Sequence, residues 1–336
     1  MEQASQPPLI IWAVSDGRAG IEAQAVGLAD AVARLTPAEV SIKRIGWTPP
    51  FGRLPWGLIP PHLALAPESG IAPPWPDIWI AAGRATLPLS TRVRRWSQGR
   101  TFVVQTQNPR TNLQPFDLVI PPVHDHLEGP NVFPIVGAPN RLTPERLAAE
   151  LARFRARIEA LPHPRIALIV GGKSKAFDLP PARAAEMARE VAQTVAKTGG
   201  SLLVSFTRRT PQAARRIFAE ALGALPGWIW DGTGENPYLA FLAAADAILV
   251  TEDSANLATD AAATGKPVHV LAMDGASRKF ARFHADLERR RIARRFAGEL
   301  ENWVYEPLDE TGRAARALLQ RFVHKLDRPE TAQSLA

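Results

Sequence analysis

The chain states one pattern twice. Leu9-Ile-Ile-Trp-Ala-Val14 is a strand-length apolar run, followed by a turn with Gly17 and Gly20 and an Ala-rich stretch from about Glu22 to Arg34. The pattern restarts at Arg165-Ile-Ala-Leu-Ile-Val170, with Gly171-Gly172 at the turn and a helical stretch from Pro181 to Lys197. Continuous apolar runs without alternation suit strands buried on both faces, and parallel strands need crossovers that helices supply. Two such starts predict two doubly wound α/β halves.

The remaining elements fit that frame. Further strands are expected at Val40–Arg44, Asp77–Ala82, Thr101–Gln105, Phe116–Ile120 and Asn131–Val136, with a helix around Leu87–Ser97. An amphipathic helix from Thr143 to Leu161 carries Pro144 at its favoured first position, and Pro162-His163-Pro164 then reads as a linker. The second half adds strands Ser201–Phe206, Trp228–Trp230, Ala247–Thr251 and Val268–Ala272. Its helices are expected at Pro211–Leu222, Tyr238–Ala244 and Ser254–Thr264, and a last helix, Thr311–Leu326, follows both halves. The expected domains are residues 9–161 and 165–300, with a return segment at 301–326. Between Thr48 and Pro76 nine of 29 residues are proline, which forbids most helix and ladder hydrogen bonds. Long irregular segments of this kind are often functional, and Trp47, Trp56 and Trp75 give this one apolar anchors.

Composition excludes several chemistries. With no cysteine there is no disulfide, thiolate metal site or cysteine nucleophile. The formal charge of +7 invites a nucleic-acid reading, but it is local. Arg278 to Arg295 contain Arg278, Lys279, Arg282, Arg289, Arg290, Arg291, Arg294 and Arg295 against only Asp286 and Glu288. No nucleic-acid motif accompanies this run, and its aromatics are limited to Phe280, Phe283 and Phe296, so nucleic acid is set aside. The N-terminal residues lack a basic leader pattern, and no window approaches the ~20 apolar residues of a spanning helix. The expectation is a cytoplasmic protein, with peripheral contact at the inner face of a membrane through Arg278–Arg295 left open.

Ligands of open parallel sheets bind where strand C-termini meet helix N-termini, so the loops after strands hold the candidates. Ser15-Asp16-Gly17-Arg18-Ala19-Gly20 supplies a tight turn and one charge of each sign; it serves equally as a helix start capped by Asp16. Gly171-Gly172-Lys173-Ser174-Lys175 resembles a phosphate cradle without Walker spacing. Arg208 and Arg209 end another strand and suit a diphosphate. Thr251-Glu252-Asp253-Ser254-Ala255-Asn256 offers a capped helix start, with Asp260 further on as an acceptor for sugar hydroxyls. His124 and Asp125 follow an N-terminal strand and suit proton transfer better than metal binding. Gly83, Arg84, Gln105 and Asn108 stand at strand ends as polar substrate contacts.

Taken in order, Ser-Asp-Gly-Arg-Ala-Gly with Gln24, Pro122-Val-His-Asp125, Gly-Gly-Lys-Ser-Lys, Thr-Glu-Asp-Ser-Ala-Asn, Thr264-Gly-Lys-Pro-Val268 and Trp303-Val-Tyr-Glu-Pro-Leu308 resemble the ELM1 family. The family is named after a plant mitochondrial fission factor and has many bacterial members. The resemblance runs from about residue 9 to 325. It implies the GT-B architecture: two Rossmann-like domains, a cleft between them and a final helix crossing back. Relatives of that fold include lipid-acceptor sugar transferases and a UDP-sugar epimerase, in which the C-terminal domain holds the nucleotide and a late-helix Glu holds the ribose. The matching position here is Asp260, one methylene shorter. Where the family usually has a polar residue after the first glycine loop this chain has Ile21, which leaves Asp16 as the base candidate.

The expected function is therefore transfer of a sugar from a nucleotide-diphosphate donor, with no metal and no further cofactor, to a cell-envelope, lipid-linked or anionic acceptor. Catalytic candidates are Asp16, His124 and Asp125. Donor-binding candidates are Gly171, Gly172, Lys173, Ser174, Arg208, Arg209, Glu252, Asp253, Ser254, Asn256 and Asp260. The acceptor side would use Gly17, Arg18, Gly20, Gln24, Gly83, Arg84, Gln105 and Asn108. The rival readings are a non-catalytic membrane-recruitment adapter built on a GT-B shell, and a nucleotide-sugar epimerase.

Overall fold

The computed structural model describes residues 7–327. The chain forms two compact units, one reaching to Arg141 and resumed from Asp309, the other Leu142–Leu308.

The first unit is built on five parallel strands. In chain order they are β1 (Leu9–Ser15), helix α1 (Ala19–Ala33), β2 (Ala38–Arg44), the short α2 (Pro61–Ala64), β3 (Ile78–Ala82), α3 (Leu87–Trp96), β4 (Phe102–Thr106) and β5 (Leu118–Ile120). The sheet order is β2-β1-β3-β4-β5, so the chain reverses direction between β1 and β3. Alternation along β1 divides the core. Ile11 and Ala13 face α1, while Trp12 and Val14 face α3 and the Pro/Trp segment. That segment is ordered, as 3₁₀ turns and the single-turn α2. Trp47, Trp56 and Trp75 pack on the second face; Trp75 stacks on Trp96 at 5.7 Å, and the Trp47 indole N–H donates to Ala85 O at 3.1 Å. Proline limits this stretch to single helical turns, and tryptophan covers the sheet face in place of a longer helix.

The expected strand at Asn131–Val136 forms only two isolated bridges, Val119 to Val132 and Pro122 to Ile135. Pro121, Pro122 and Pro134 remove the N–H donors that a continuous ladder would need.

The second unit opens with α4 (Pro144–Arg153) and the single-turn α5 (Arg155–Ile158). The expected continuous helix to Leu161 is broken at Phe154, whose ring lies 5.5 Å from that of Trp228. Thr143 caps α4 by accepting from the Arg146 N–H at 3.2 Å. There follow β6 (Arg165–Val170), β7 (Phe177–Asp178), α6 (Pro181–Thr198), β8 (Ser201–Phe206), α7 (Gln212–Leu222), β9 (Gly227–Ile229) and α8 (Tyr238–Ala244). The unit ends with β10 (Ala247–Thr251), α9 (Ala255–Ala262), β11 (Val268–Leu271), β12 (Asp274–Gly275), α10 (Arg278–Arg289) and β13 (Ala293–Arg295). The six-stranded order is β13-β11-β10-β6-β8-β9, with the reversal between β6 and β10, and β7 pairs with β12 as a small antiparallel ribbon. α4 packs against α8, so the segment expected to close the first domain belongs with the second unit. The Pro162–Pro164 stretch lies inside that unit, where His163 Nδ1 is 2.6 Å from Asp246.

The last helix, α11 (Glu310–Leu326), returns to the first unit. Ala314, Ala315, Leu318 and Phe322 bury their side chains against the α1 face, and Phe322 meets Phe102 edge-on at 5.7 Å. Glu310 accepts from the Val136 N–H at 2.7 Å, and Thr311 from the Asn140 N–H at 2.9 Å. Phe322→Ala removes a buried ring and should destabilise the first unit by about 3–5 kcal/mol, read as a lowered urea midpoint; an unchanged midpoint would refute this anchoring role.

Candidate functional site

Three loops join at the C-terminal ends of β6, β8 and β10, around one carboxylate. The Asp253 side chain is 0% exposed and lies 2.6 Å from the Arg209 guanidinium. It accepts from the Gly172 N–H at 3.1 Å and from the Thr251 hydroxyl at 2.6 Å. Thr251 in turn accepts from the Gly171 N–H at 2.7 Å. Arg209 also donates to Gly172 O at 3.3 Å, and the Thr210 hydroxyl sits 2.9 Å from Val170 O. The paired glycines are required by this packing. A Cβ on Gly171 would stand 2.0 Å from Asp253 Oδ1, and one on Gly172 2.1 Å from Arg209 O. Both glycine amides thus donate within the protein, and one of the two candidate diphosphate arginines is neutralised by Asp253.

The other donor-side residues are distributed around this hub. Lys173 pairs with Asp178 at 2.9 Å on the surface and holds that carboxyl below its ordinary range. Ser174 accepts from the Ala176 and Phe177 amides, closing its own turn. Ser254 caps α9, accepting from the Leu257 N–H at 3.4 Å, and Asn256 lies in the first turn. Glu252 turns to the next strand instead, accepting from the Met273 N–H at 2.6 Å and facing Arg295 at 3.5 Å. Arg208 is exposed and has no partner among the described residues.

Asp260 projects from α9 toward α8, where the Tyr238 hydroxyl donates to it at 2.9 Å. Burial raises the Asp260 carboxyl to about 7, against the opposing effect of that hydrogen bond. Burial, then the charge of Asp260, pushes the Tyr238 phenol well above its usual value. Tyr238 was not a sequence candidate; its signal was rarity, since the chain has only two tyrosines, and its place at a helix start. Lys266, in the Gly-Lys-Pro motif, donates to the last carbonyls of α8, Leu242 O at 3.1 Å and Ala243 O. Burial lowers its ammonium to about 8.

In the first unit the loops after β1, β3 and β4 touch. Asp16 and Arg18 pair with each other at 2.7 Å, so the two charges of the first loop satisfy one another. Gly17 has φ +75°, the left-handed turn that favours glycine. Gly83 has φ +84°, and a Cβ there would meet Ile21 at 2.9 Å. Gln24 is buried and accepts from the Gln107 amide at 2.9 Å. Gln105 is 2% exposed; its amide donates to Thr106 O at 3.2 Å, while its Oε1 has no partner among the described residues. Buried acceptors left open in this way are uncommon and call for a ligand or water. Arg84 is exposed, and Asn108 accepts from the Arg110 N–H at 2.8 Å. His124 and Asp125 share one 3₁₀ turn after β5, the imidazole buried and the carboxylate half-exposed. Gly20 stands exposed in the first turn of α1.

The basic run is a helix and a strand, α10 and β13, which the sequence reading left unassigned. Tertiary structure pairs Asp286 within the run and adds counter-charges from outside it, Glu252 and Glu301. Asp286 pairs with both Arg289 and Arg290, Arg295 faces Glu252, and Arg294 pairs with Glu301 and lies over Trp303. Among the described residues no helix is long and apolar enough to cross a membrane, and no group of three or more His, Asp or Glu side chains is placed to hold a metal ion.

Two outcomes follow. Gly171→Ala should cost roughly 1–3 kcal/mol by overpacking against Asp253, measured by urea denaturation, and retention of full stability would contradict the hub. Asp260 titrates near 7 folded and near 3.8 unfolded. The unfolded chain therefore releases its proton first, and this group's contribution is present at low pH and lost as pH rises through that interval. Wild type should lose stability relative to Asp260→Asn between pH 4 and 7; parallel curves would rule out the raised carboxyl.

Comparison with known proteins agrees with this architecture. The family model for mitochondrial fission ELM1 matches residues 19–322. The mitochondrial fission protein ELM1 of Arabidopsis thaliana is 32% identical over 270 residues, covering 71% of this chain and 62% of that protein. The chain thus spans less than two thirds of that relative's length. Among solved structures, UDP-GlcNAc 2-epimerase from Methanocaldococcus jannaschii matches with a TM-score of 0.56 at 12% identity, over 94% of this chain and all of that one. The spinosyn forosaminyltransferase SpnP matches at 0.50 and 14% identity, over 96% of this chain and 91% of its own. These likenesses are of fold, two Rossmann-like domains of the GT-B type. With its two reversed parallel sheets and a family match over most of its length, the chain belongs to the mitochondrial fission ELM1 family and has the GT-B fold.

Proposed function

We propose that this protein binds a nucleotide-diphosphate sugar on its second unit and transfers the sugar to an acceptor hydroxyl. The observation that carries the reading is the Asp260–Tyr238 pair. A half-buried carboxyl raised to about 7 and fixed by a phenol at 2.9 Å can both accept from and donate to a sugar hydroxyl. The family resemblance sets Asp260 at the position of the late-helix Glu of GT-B relatives, one methylene shorter. Arg208, exposed and without a partner among the described residues, supplies the cation for the diphosphate, with Lys173 exchanging Asp178 for it. Arg209 and the glycine amides act at one remove, holding the loops.

In the transfer, the acceptor oxygen bonds to the anomeric carbon as the bond from that carbon to the diphosphate oxygen breaks. The nucleoside diphosphate leaves with the electron pair, and its added charge is met by Arg208 and the α9 amides. The acceptor's proton passes to a general base, a role we propose for Asp16, His124 or Asp125. The open Oε1 of Gln105 fits an acceptor hydroxyl or ammonium donor at the same strand ends. A lipid-linked or otherwise anionic acceptor is the class we favour, with the exposed Arg278 and Arg282 of α10 as the membrane-facing element.

The second reading, a non-catalytic adapter, is supported by Asp253 itself. An internal carboxylate already takes the glycine amide and the arginine that an external phosphate would use. The name of the Arabidopsis relative, a fission protein, fits that role.

A thermal-shift panel of UDP-, GDP-, CMP- and dTDP-sugars separates the two. Saturating donor at about 100 times Kd should add roughly 2.7 kcal/mol of stability. Arg208→Ala and Asp260→Ala should each weaken binding about tenfold or more. Absence of a shift with every donor would remove the transferase reading and leave the adapter. A single sugar nucleotide converted without acceptor would instead identify an epimerase.

A further inference from the structure

A cavity of ≈ 660 Å³ lies at the C-terminal ends of β8 and β9, beside α7. It lies apart from the Asp260–Tyr238 pair, although Phe206 and Thr210 of its lining flank Arg208 and Arg209 and Trp230 also packs on the α8-side cluster. Along β8, Leu202 and Val204 pack with Ala214 and Phe218 of α7, whereas Leu203 packs with Phe241 of α8. Tyr238 and Asp260 belong to the α8 side, and the cavity opens beside α7. Its volume falls within the range of small-molecule sites, ~300–1,000 Å³.

The lining has a definite chemistry. Phe206 and Trp230 contribute aromatic surface at the two strand ends. The Trp230 indole N–H is committed to Thr233 O at 2.8 Å, which fixes the ring where it both packs on the Leu203–Phe241 cluster and borders the cavity. Arg215 is held in place by Thr207 O at 2.6 Å and Thr210 O at 3.3 Å, 5.8 Å from the Phe206 ring. Arg216, one residue on, is exposed and has no partner among the described residues. The single acid of the lining, Asp231, accepts from the Thr233 N–H at 2.9 Å and hydroxyl at 2.7 Å, which hold it ionised. Two guanidiniums, one of them unspent, therefore stand beside two aromatic surfaces.

We infer that this cavity is a second ligand site, for a planar aromatic molecule carrying an anionic group. The ring lies on Trp230 and Phe206, and the anion pairs with Arg216, whose guanidinium offers a two-pronged donor to a carboxylate, sulfonate or phosphate. Stacking on a fixed indole retains little rotational freedom to lose, and this favours flat ligands over aliphatic ones.

The inference does not use the Asp260–Tyr238 pair and is tested on the full chain with 1-anilinonaphthalene-8-sulfonate, whose fluorescence rises on binding. The expected result is one saturable site, weakened about tenfold or more by Arg216→Glu and likewise by Trp230→Leu. Asp260→Asn should leave it unchanged, and the neutral analogue N-phenyl-1-naphthylamine should bind about tenfold more weakly. Arg216 is exposed, so its variant reports binding rather than folding even if Trp230→Leu fails to fold. The inference is overturned if no saturable site is found, if Arg216→Glu leaves the titration unmoved, or if the neutral analogue binds as tightly.

Discussion

The second unit depends on one buried charge. Asp253 is fully removed from solvent, a position that costs several kcal/mol unless it is paired and hydrogen-bonded. Arg209 supplies the pairing, while Thr251 and the Gly172 amide supply the hydrogen bonds. These partners come from the loops after β6, β8 and β10, so satisfying one carboxylate fixes three strand ends at the reversal of the sheet. The glycine pair, Thr251 and Arg209 are then parts of one device. Losing any partner leaves a buried charge under-solvated, so the loops cannot vary separately.

The hub also separates residues that hold the site from those free to act. Arg209 is spent internally, whereas its neighbour Arg208 is exposed and has no partner among the described residues. Gly171 and Gly172 donate inward, whereas Ser254 opens α9 by capping its own first turn. In the first unit the same sorting applies: Asp16 and Arg18 satisfy each other, while Gln105 keeps a buried acceptor unfilled. Side-chain type places a residue in a loop, but its partners decide whether it is available.

Much of the fold was legible in sequence because parallel α/β units advertise themselves. Buried strands such as Arg165–Val170 and Ala247–Thr251 are short apolar runs, and both match the structure at their ends. Errors arose where long-range contacts override local pattern. The helix expected to run to Leu161 breaks at Phe154, whose ring is drawn onto Trp228. The strand expected at Asn131–Val136 dwindles to two bridges among prolines. Helix α10 was concealed by its charge, since a run of arginines reads as a surface patch before it reads as an amphipathic face.

By itself the sequence determined the two-fold restart, the placement of glycine and polar residues at strand ends, and the resemblance to a family, because these depend on local periodicity and residue order. Only the tertiary structure decided which charges are spent. Counted along the chain, the basic run Arg278–Arg295 is opposed only by Asp286 and Glu288, yet Glu252 and Glu301, outside the run, face Arg295 and Arg294. Tyr238 reaches Asp260 across 22 positions, and Asp253 reaches Gly172 across 81. Coulomb and hydrogen-bond energies depend on distance in space, and separation along a chain says almost nothing about that distance.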